Sequence, residues 1–131
     1  MVAMTLARQN LGRQAEELVA HRLRREGWMI VERNARPPDV RGEIDLVAVD
    51  GDALVFVEVK ARRTGSVVGP ELPAMAVGPR KQMKLRSLAS AWLRDRGYDV
   101  PRHRDLRFDV IGLRLDARGD VVEYEHLRAA F

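Results

Sequence analysis

Two apolar runs rich in β-branched residues, 44–49 and 54–59, lie close together near the middle of the chain. Between them stand the steps Asp50-Gly51 and Gly51-Asp52, which are typical of tight hairpin loops. The pattern predicts two antiparallel strands joined by a two-residue loop. Because both faces of this hairpin are apolar apart from a few charged positions, we expect the strands to lie inside a sheet.

Charged residues fall on one face of the predicted hairpin. Counting outward from the loop places Asp45 opposite Glu58, and directly opposed residues have Cβ atoms about 4.5–5.5 Å apart. Lys60 comes two residues after Glu58, so it shares that face, and Glu43 falls opposite it. The register therefore predicts two carboxylates side by side, with an ammonium group next to them.

Two interpretations of these charges stay open. Neighbouring carboxylates repel each other, and carboxylate oxygens with water are the ligands that Mg²⁺ prefers, so the pattern indicates a cation site. The alternative is a half-exposed cluster of ion pairs formed by Glu43, Asp45, Glu58 and Lys60, which antiparallel sheets often carry on a solvated face. The apolar positions on both faces favour the cation site, because buried carboxylates need a neutralising partner.

The first part of the chain has helical periodicity. Thr5 is a suitable N-cap, and we expect the helix to run to about Glu26 and to end at Gly27. Steps of about 100° per residue place Glu16 at the edge of the apolar stripe and Glu17 nearly opposite. Glu16 is thus either an acid that joins the charged residues of the hairpin or a surface residue that pairs with another residue of the same helix. The stripe consists of Leu11, Ala15, Leu18, Val19 and Leu23.

The segments around the hairpin predict further strands and loops. Residues 28–31 predict a first or edge strand, and residues 33–38, which end in two prolines, predict a loop. After Lys60 we expect a long basic loop that is mobile without substrate and closes over a nucleic-acid backbone, or simply crosses to the next helix. Two more strands are predicted at 106–115 and 121–124.

A second helix is predicted at 79–96, with proline in its first turn and Gly97 as its stop. Trp92 continues the apolar side of this helix, so we expect it to pack in the core rather than to stack on a base. Arg107 and Asp109 share one strand face and are expected to form a structural ion pair. The predicted buried side of the helix consists of Met83, Leu85, Leu88, Ala89, Trp92 and Leu93.

Composition narrows the class of protein. The 131 residues suit one domain with a single core, spanning 1–131. A net charge of +4 favours a polyanionic partner, and the absence of cysteine excludes thiolate metal sites. The sequence shows no membrane span and no signal-peptide core, so we expect a cytoplasmic protein without membrane contact.

Lysine is rare among the basic residues: of 23 Lys and Arg residues only Lys60, Lys81 and Lys84 are lysines. This singles out Lys60, because a lysine ammonium is compact and its pKa shifts readily, whereas arginine stays charged. Basic residues also follow the acidic hairpin and occupy loop 33–38, where they either hold phosphate or are simply solvated. The candidate phosphate contacts are Arg36, Arg62, Arg63, Lys81 and Lys84.

With Gly42-Glu43-Ile44-Asp45 and Glu58-Val59-Lys60, the chain resembles the core motif of the PD-(D/E)XK nuclease superfamily. As a whole it resembles the YraN-like family of uncharacterised bacterial proteins, which are similar to archaeal Holliday-junction resolvases. Ala15 departs from that family, which usually has glycine there. The other matching pieces are Gly12, Ala15-Glu16, Gly27, Asn34, Lys81, Arg107-Phe108-Asp109 and Ala130-Phe131.

The resemblance implies a restriction-endonuclease-like α/β core, a mixed sheet with a central antiparallel hairpin flanked by helices. It implies a metal-dependent endonuclease that hydrolyses phosphodiester bonds in DNA, the favoured partner, or in structured nucleic acid, with Mg²⁺ or Mn²⁺ as cofactor. Lys60 would position the attacking water, and Lys81 and Gln82 would lie near the pocket. The implied metal ligands are Asp45, Glu58, the carbonyl of Val59 and, directly or through water, Glu16.

Other functions stay open at this stage. The main alternative is a nucleic-acid-binding module that keeps the acidic residues but does not cleave nucleic acid. A third is an interaction protein whose carboxylates pair with arginine from a partner. A symmetric homodimer is compatible with the two cuts that a duplex requires.

Overall fold

The computed structural model describes residues 2–65 and 77–131, which form a five-stranded mixed sheet with a helix on each face. The elements in chain order are α1 (Val2–Arg25), β1 (Met29–Ala35), β2 (Ile44–Asp50), β3 (Ala53–Arg63), α2 (Pro79–Arg96), a 3₁₀ turn (Gly97–Asp99), β4 (Asp105–Leu115) and β5 (Val121–Leu127). The strands lie in sequence order, and only the pair β3–β4 is parallel. This architecture confirms the predicted fold class.

The central hairpin has the predicted loop and register. β2 and β3 pair from Asp50 and Ala53 down to Leu46 and Val57, and Gly51 turns the chain with a φ of 57°. Both strands are internal, since β1 and β4 flank them. The parallel β4 needs a crossover connection after β3, and α2 lies within that connection.

Helix α1 packs on one face of the sheet through its predicted apolar stripe, and the helix ends before Gly27, as expected. Glu16 is buried beside the stripe, whereas Glu17 is exposed. The prediction that Thr5 caps the helix is wrong, because the helix already runs from Val2 and Thr5 lies within it. The stripe residues are Ala15, Val19 and Leu23, fully buried, with Leu11 and Leu18 half-buried beside them.

Helix α2 packs on the other face and has the predicted bounds, with Gly97 (φ 58°) at its end. The prediction that Met83 is buried is wrong, because Met83 is 69% exposed. Met83 lies two residues before the buried Leu85. Two helical steps rotate the direction of a side chain by about 200° around the axis, so Met83 points away from the buried side. Neither of the two helices in the described part of the chain is long and apolar enough to cross a membrane.

Trp92 is a core residue, as predicted. Its ring lies edge-on to Phe56 with 5.7 Å between centroids, and only 2% of the residue is exposed. The indole Nε1 donates a hydrogen bond of 3.0 Å to Glu32 Oε1, which satisfies the buried N–H.

Three strands extend further than predicted, and β5, predicted at 121–124, runs from Val121 to Leu127. Residues 33–35 continue β1 instead of forming a loop, which is possible because the strand has an irregular register between Ile30 and Glu32 and a positive φ of 51° at Asn34. β3 extends to Arg63 because β4 pairs with it along its whole length, so residues 61–63 are strand rather than loop. The predicted mobile segment falls largely on residues 66–76, which lie outside the described residues.

Asp109 in β4 is fully buried and is the centre of a polar network, which confirms the predicted ion pair with Arg107. Arg107 donates to both carboxylate oxygens at 2.9 and 3.0 Å, and the N–H of Ala129 donates to Oδ1 at 3.0 Å. His126 Nε2 lies 2.7 Å from Oδ2. Burial alone would raise the pKa of Asp109, but these hydrogen bonds hold the pKa below its usual value.

We expect Asp109→Asn to lower the free energy of unfolding by about 2–4 kcal/mol at neutral pH, because its NH₂ group would face the donors that Asp109 now satisfies. The depressed pKa of Asp109 means that this stabilisation is present above the unfolded-state pKa and is lost as pH falls through the folded-state pKa. Urea unfolding at pH 7 and below pH 4 measures both effects. Asp105→Asn, an exposed change on the same strand, is the control, and equal stabilities of the two variants would contradict the network's role.

Candidate active site

Asp45 lies at the start of β2 and is held against β3. Its Oδ2 accepts a hydrogen bond of 2.8 Å from the backbone N–H of Val59, and only 9% of the residue is exposed. Burial and the neighbouring Glu58 raise the pKa of Asp45 to about 8. Glu16 and Glu43 add to this rise, which the hydrogen bond from Val59 opposes. An ionised Asp45 is therefore unfavourable unless positive charge comes close to it.

Three carboxylates meet at this point, from Glu16 in α1, Glu43 just before β2 and Asp45 in β2. Oxygens of Glu16, Glu43 and Asp45 lie within 4.8 Å of one another. Burial and the charge of Glu43 raise the pKa of Glu16, while a hydrogen bond from Asn34 opposes this rise. Glu43 was predicted to lie opposite Lys60, in an ion-pair cluster with Asp45 and Glu58, but not to be a possible metal ligand. The signal was its spacing of two residues from Asp45, which points both side chains to one side of an extended chain.

Glu58 lies in β3 next to the three clustered carboxylates but outside their tight group. Its Oε1 is 3.4 Å from Lys60 Nζ and 3.6 Å from Lys81 Nζ. Its Oε2 is buried and has no hydrogen-bond partner among the described residues. A buried oxygen left without a partner costs about 1–3 kcal/mol, which a nearby cation would offset.

All three lysines of the chain lie around this site. Lys60 is contributed by β3 and Lys81 by the first turns of α2, and both contact Glu58. Lys84, one turn further along α2, packs over Gly42, where an added Cβ would lie 3.3 Å from the lysine Cε. Lys60 and Lys81 therefore place ammonium groups beside Glu58, on the β3 side of the acids.

The other predicted contacts are placed as follows. Arg36 follows β1 and donates to Glu43. Arg62 shares the face of Glu58 by strand alternation, whereas the exposed Arg63 points to the other face. The side-chain amide of Gln82 donates to the carbonyl of Val77 at 3.1 Å and so holds the start of α2. Their binding to nucleic acid stays a prediction.

A cavity of about 420 Å³ opens beside Glu16 and Glu43, between α1 and the end of β1. Two cavities of about 500 and 480 Å³ lie elsewhere, one at residues 100–104 and one between α1 and β5. Neither of these is lined by the clustered acids, so their size does not make them better candidates for the chemistry.

These residues fit a hard divalent cation such as Mg²⁺ or Mn²⁺. Such ions take oxygen ligands, usually carboxylates and water, and the site offers four carboxylates without any thiolate or imidazole among its donors. The unpartnered Oε2 of Glu58 and the raised pKa of Asp45 both indicate a deficit of positive charge. The possible ligands are Glu16, Glu43, Asp45 and Glu58.

The fold and the site together define the class: an α/β protein with a restriction-endonuclease-like core and an acidic cluster at its central hairpin. The sequence profile of the uncharacterised protein family UPF0102 matches residues 15–113. The chain therefore belongs to this family, which confirms the predicted YraN-like relationship.

Relatives match over nearly their whole length. A UPF0102 protein of Streptomyces griseus is 47% identical over 122 residues, which cover 93% of this chain and 96% of the relative. A UPF0102 protein of Syntrophotalea carbinolica is 42% identical over 128 residues, covering 98% of this chain and 96% of the relative. One of Dictyoglomus thermophilum is 32% identical over 123 residues, covering 94% and 98%.

Proposed function

We propose that this protein is a metal-dependent nuclease that hydrolyses phosphodiester bonds in DNA or structured nucleic acid. The observation that carries the proposal is the crowding of Glu16, Glu43 and Asp45, whose oxygens lie within 4.8 Å of one another. Burial and the neighbouring Glu58, with smaller contributions from Glu16 and Glu43, raise the pKa of Asp45 to about 8, and a bound cation would relieve this crowding. Cutting both strands of a duplex takes two such sites, so we propose a homodimer for duplex substrates.

The carboxylates would hold Mg²⁺ or Mn²⁺, with Asp45 at the centre, Glu16 and Glu43 on the α1 side and Glu58 on the β3 side. The carbonyl of Val59 is a further proposed ligand, because the N–H of the same residue already fixes Asp45. When bound, the cation would polarise a phosphoryl oxygen and lower the pKa of its bound water.

We expect Lys60 to act on the substrate. Its ammonium is 3.4 Å from Glu58 Oε1, and its side chain is 31% exposed, so Glu58 orients it while it still reaches solvent. There it would hold the attacking water and offset the negative charge that grows on the phosphate oxygens. Lys81, at 3.6 Å from the same oxygen, would support the same charge from α2.

A second candidate is a nucleic-acid-binding module without turnover. The observation in its favour is that Lys60 and Lys81 contact Glu58, and Arg36 contacts Glu43, so part of the acidic charge is already compensated within the chain.

The test is incubation of the purified protein with branched, duplex and single-stranded DNA in Mg²⁺ or Mn²⁺. We expect metal-dependent product from at least one of these substrates. Tight binding without product under any of these conditions would favour the binding module.

A further inference from the structure

The cavity beside Glu16 and Glu43 is lined mainly by hydrogen-bond donors. Its walls carry two guanidinium groups, two side-chain amides and a glycine, at which an added Cβ would meet no other atom within 4 Å. Guanidinium and amide N–H groups bind phosphate oxygens well, and the volume of about 420 Å³ leaves room for a phosphate group. The residues that line it, besides the two acids, are Gln9, Gly12, Arg13, Asn34 and Arg36.

Two of these donors are not free, since the amide of Asn34 is hydrogen-bonded to Glu16 and the guanidinium of Arg36 to Glu43. Arg36 Nε and Nη2 each lie 3.1 Å from Glu43 Oε2, so the guanidinium is bound to an acid of the cluster. The side chain of Arg36 is 77% exposed and that of Glu43 is 36% exposed. Exposed ion pairs of this kind contribute little to stability, so separating this one costs little free energy.

We propose that this cavity is a phosphate subsite and that Arg36 passes from Glu43 to the phosphate when a divalent cation binds at the acidic cluster. The inference rests on the proposed function, since it needs that cation. A cation held by Glu43 would repel the guanidinium and weaken its ion pair, and Arg36 would then be available to the nucleic-acid backbone. Cation and nucleic acid would therefore strengthen each other's binding, because such coupling is reciprocal.

The test measures DNA affinity by fluorescence anisotropy, in EDTA and in Mn²⁺ at matched ionic strength. All variants carry Lys60→Ala, which we expect to stop cleavage while leaving the four carboxylates in place. The set consists of Arg36→Gln, Glu43→Gln, the double variant and Arg24→Gln, an exposed arginine at the end of α1 that serves as the control for loss of one positive charge.

In EDTA, Arg36→Gln is expected to change DNA affinity by less than about twofold, because Glu43 already occupies the guanidinium. In Mn²⁺ the same change is expected to weaken binding about tenfold. In the Glu43→Gln background Arg36 is free from the start, so Arg36→Gln is expected to weaken binding about tenfold even in EDTA. Arg24→Gln is expected to have the same small effect in both conditions.

Equal losses from Arg36→Gln in EDTA and in Mn²⁺, or no loss in either, would overturn the exchange. If the exchange fails in this way while the protein with Lys60 intact still cleaves DNA with Mn²⁺, this inference alone is overturned and the proposed function stands. If that protein neither binds Mn²⁺ nor yields product, both proposals fail together.

Discussion

Asp45→Asn is expected to reduce metal-dependent DNA cleavage about a thousandfold or more, and Lys60→Ala is expected to do the same, while both variants keep DNA affinity within about fivefold. Asparagine has the shape of aspartate, and its carbonyl oxygen can still accept the N–H of Val59. It lacks the negative charge, so the variant tests the charge of the central ligand rather than the fold. Lys60→Ala removes the ammonium that lies 3.4 Å from Glu58 and leaves the carboxylates unchanged.

Single-turnover cleavage of labelled DNA in Mn²⁺, with affinity measured in parallel, separates chemistry from binding. Asp95→Asn is the matched control, because Asp95 is an exposed aspartate of α2 and its change should leave the rate unaltered. Wild-type rates in either Asp45→Asn or Lys60→Ala would mean that cleavage comes from a contaminant or from another site.

The central hairpin and the place of Glu16 are predictable from the sequence because local rules determine them. The Gly51-Asp52 loop fixes the pairing of β2 and β3, and a period of two then decides which side chains share a face. Helical steps place Glu16 at the edge of a buried stripe, and the structure has it buried there. Proline and glycine mark the ends of α2 for equally local reasons.

What the sequence leaves out depends on contacts between elements. Residues 33–35 look like a loop, yet Ala35 is fully buried in a strand because β2 offers a partner edge. The contact of Lys81 with Glu58 depends on how α2 packs on the sheet, and the contact of Arg36 with Glu43 depends on how the chain reverses before β2. None of these contacts follows from a local pattern. The position of Glu43 two residues before Asp45 is a local signal, but Glu43 was interpreted as a partner of Lys60 and not as a possible metal ligand.

The same packing explains why the site is electrostatically unbalanced. Cations are distributed around its rim: lysines of β3 and α2 contact Glu58, and Arg36 contacts Glu43. Asp45, at the centre, accepts a hydrogen bond from the neutral backbone N–H of Val59 and shares another with the acidic Glu16, and neither partner supplies positive charge. Asp45, whose pKa is raised to about 8, thus has no ion pair with a basic side chain among the described residues.

We therefore expect the metal-free protein to lose stability as pH rises from about 4 to about 8. The folded-state pKa of Asp45 is about 8, above the unfolded value of about 3.9, so between these values the folded state holds a proton that the unfolded state has released. This contribution is fully present below the lower value and is lost as pH rises through the higher one. One pKa unit corresponds to about 1.4 kcal/mol of stability. Counting only part of the difference between the two pKa values, we expect a loss of at least about 2 kcal/mol.

Unfolding in EDTA at pH 5 and pH 9 measures this loss, and Asp45→Asn should reduce it and be more stable than wild type at pH 9. Asp95→Asn should keep the wild-type difference. Mn²⁺ should raise the melting temperature of wild type more at pH 8 than at pH 5, because at low pH it must displace the proton from Asp45. A melting temperature that does not respond to Mn²⁺ at pH 8, together with an unchanged pH dependence in Asp45→Asn, would contradict both the raised pKa and the cation site that it supports.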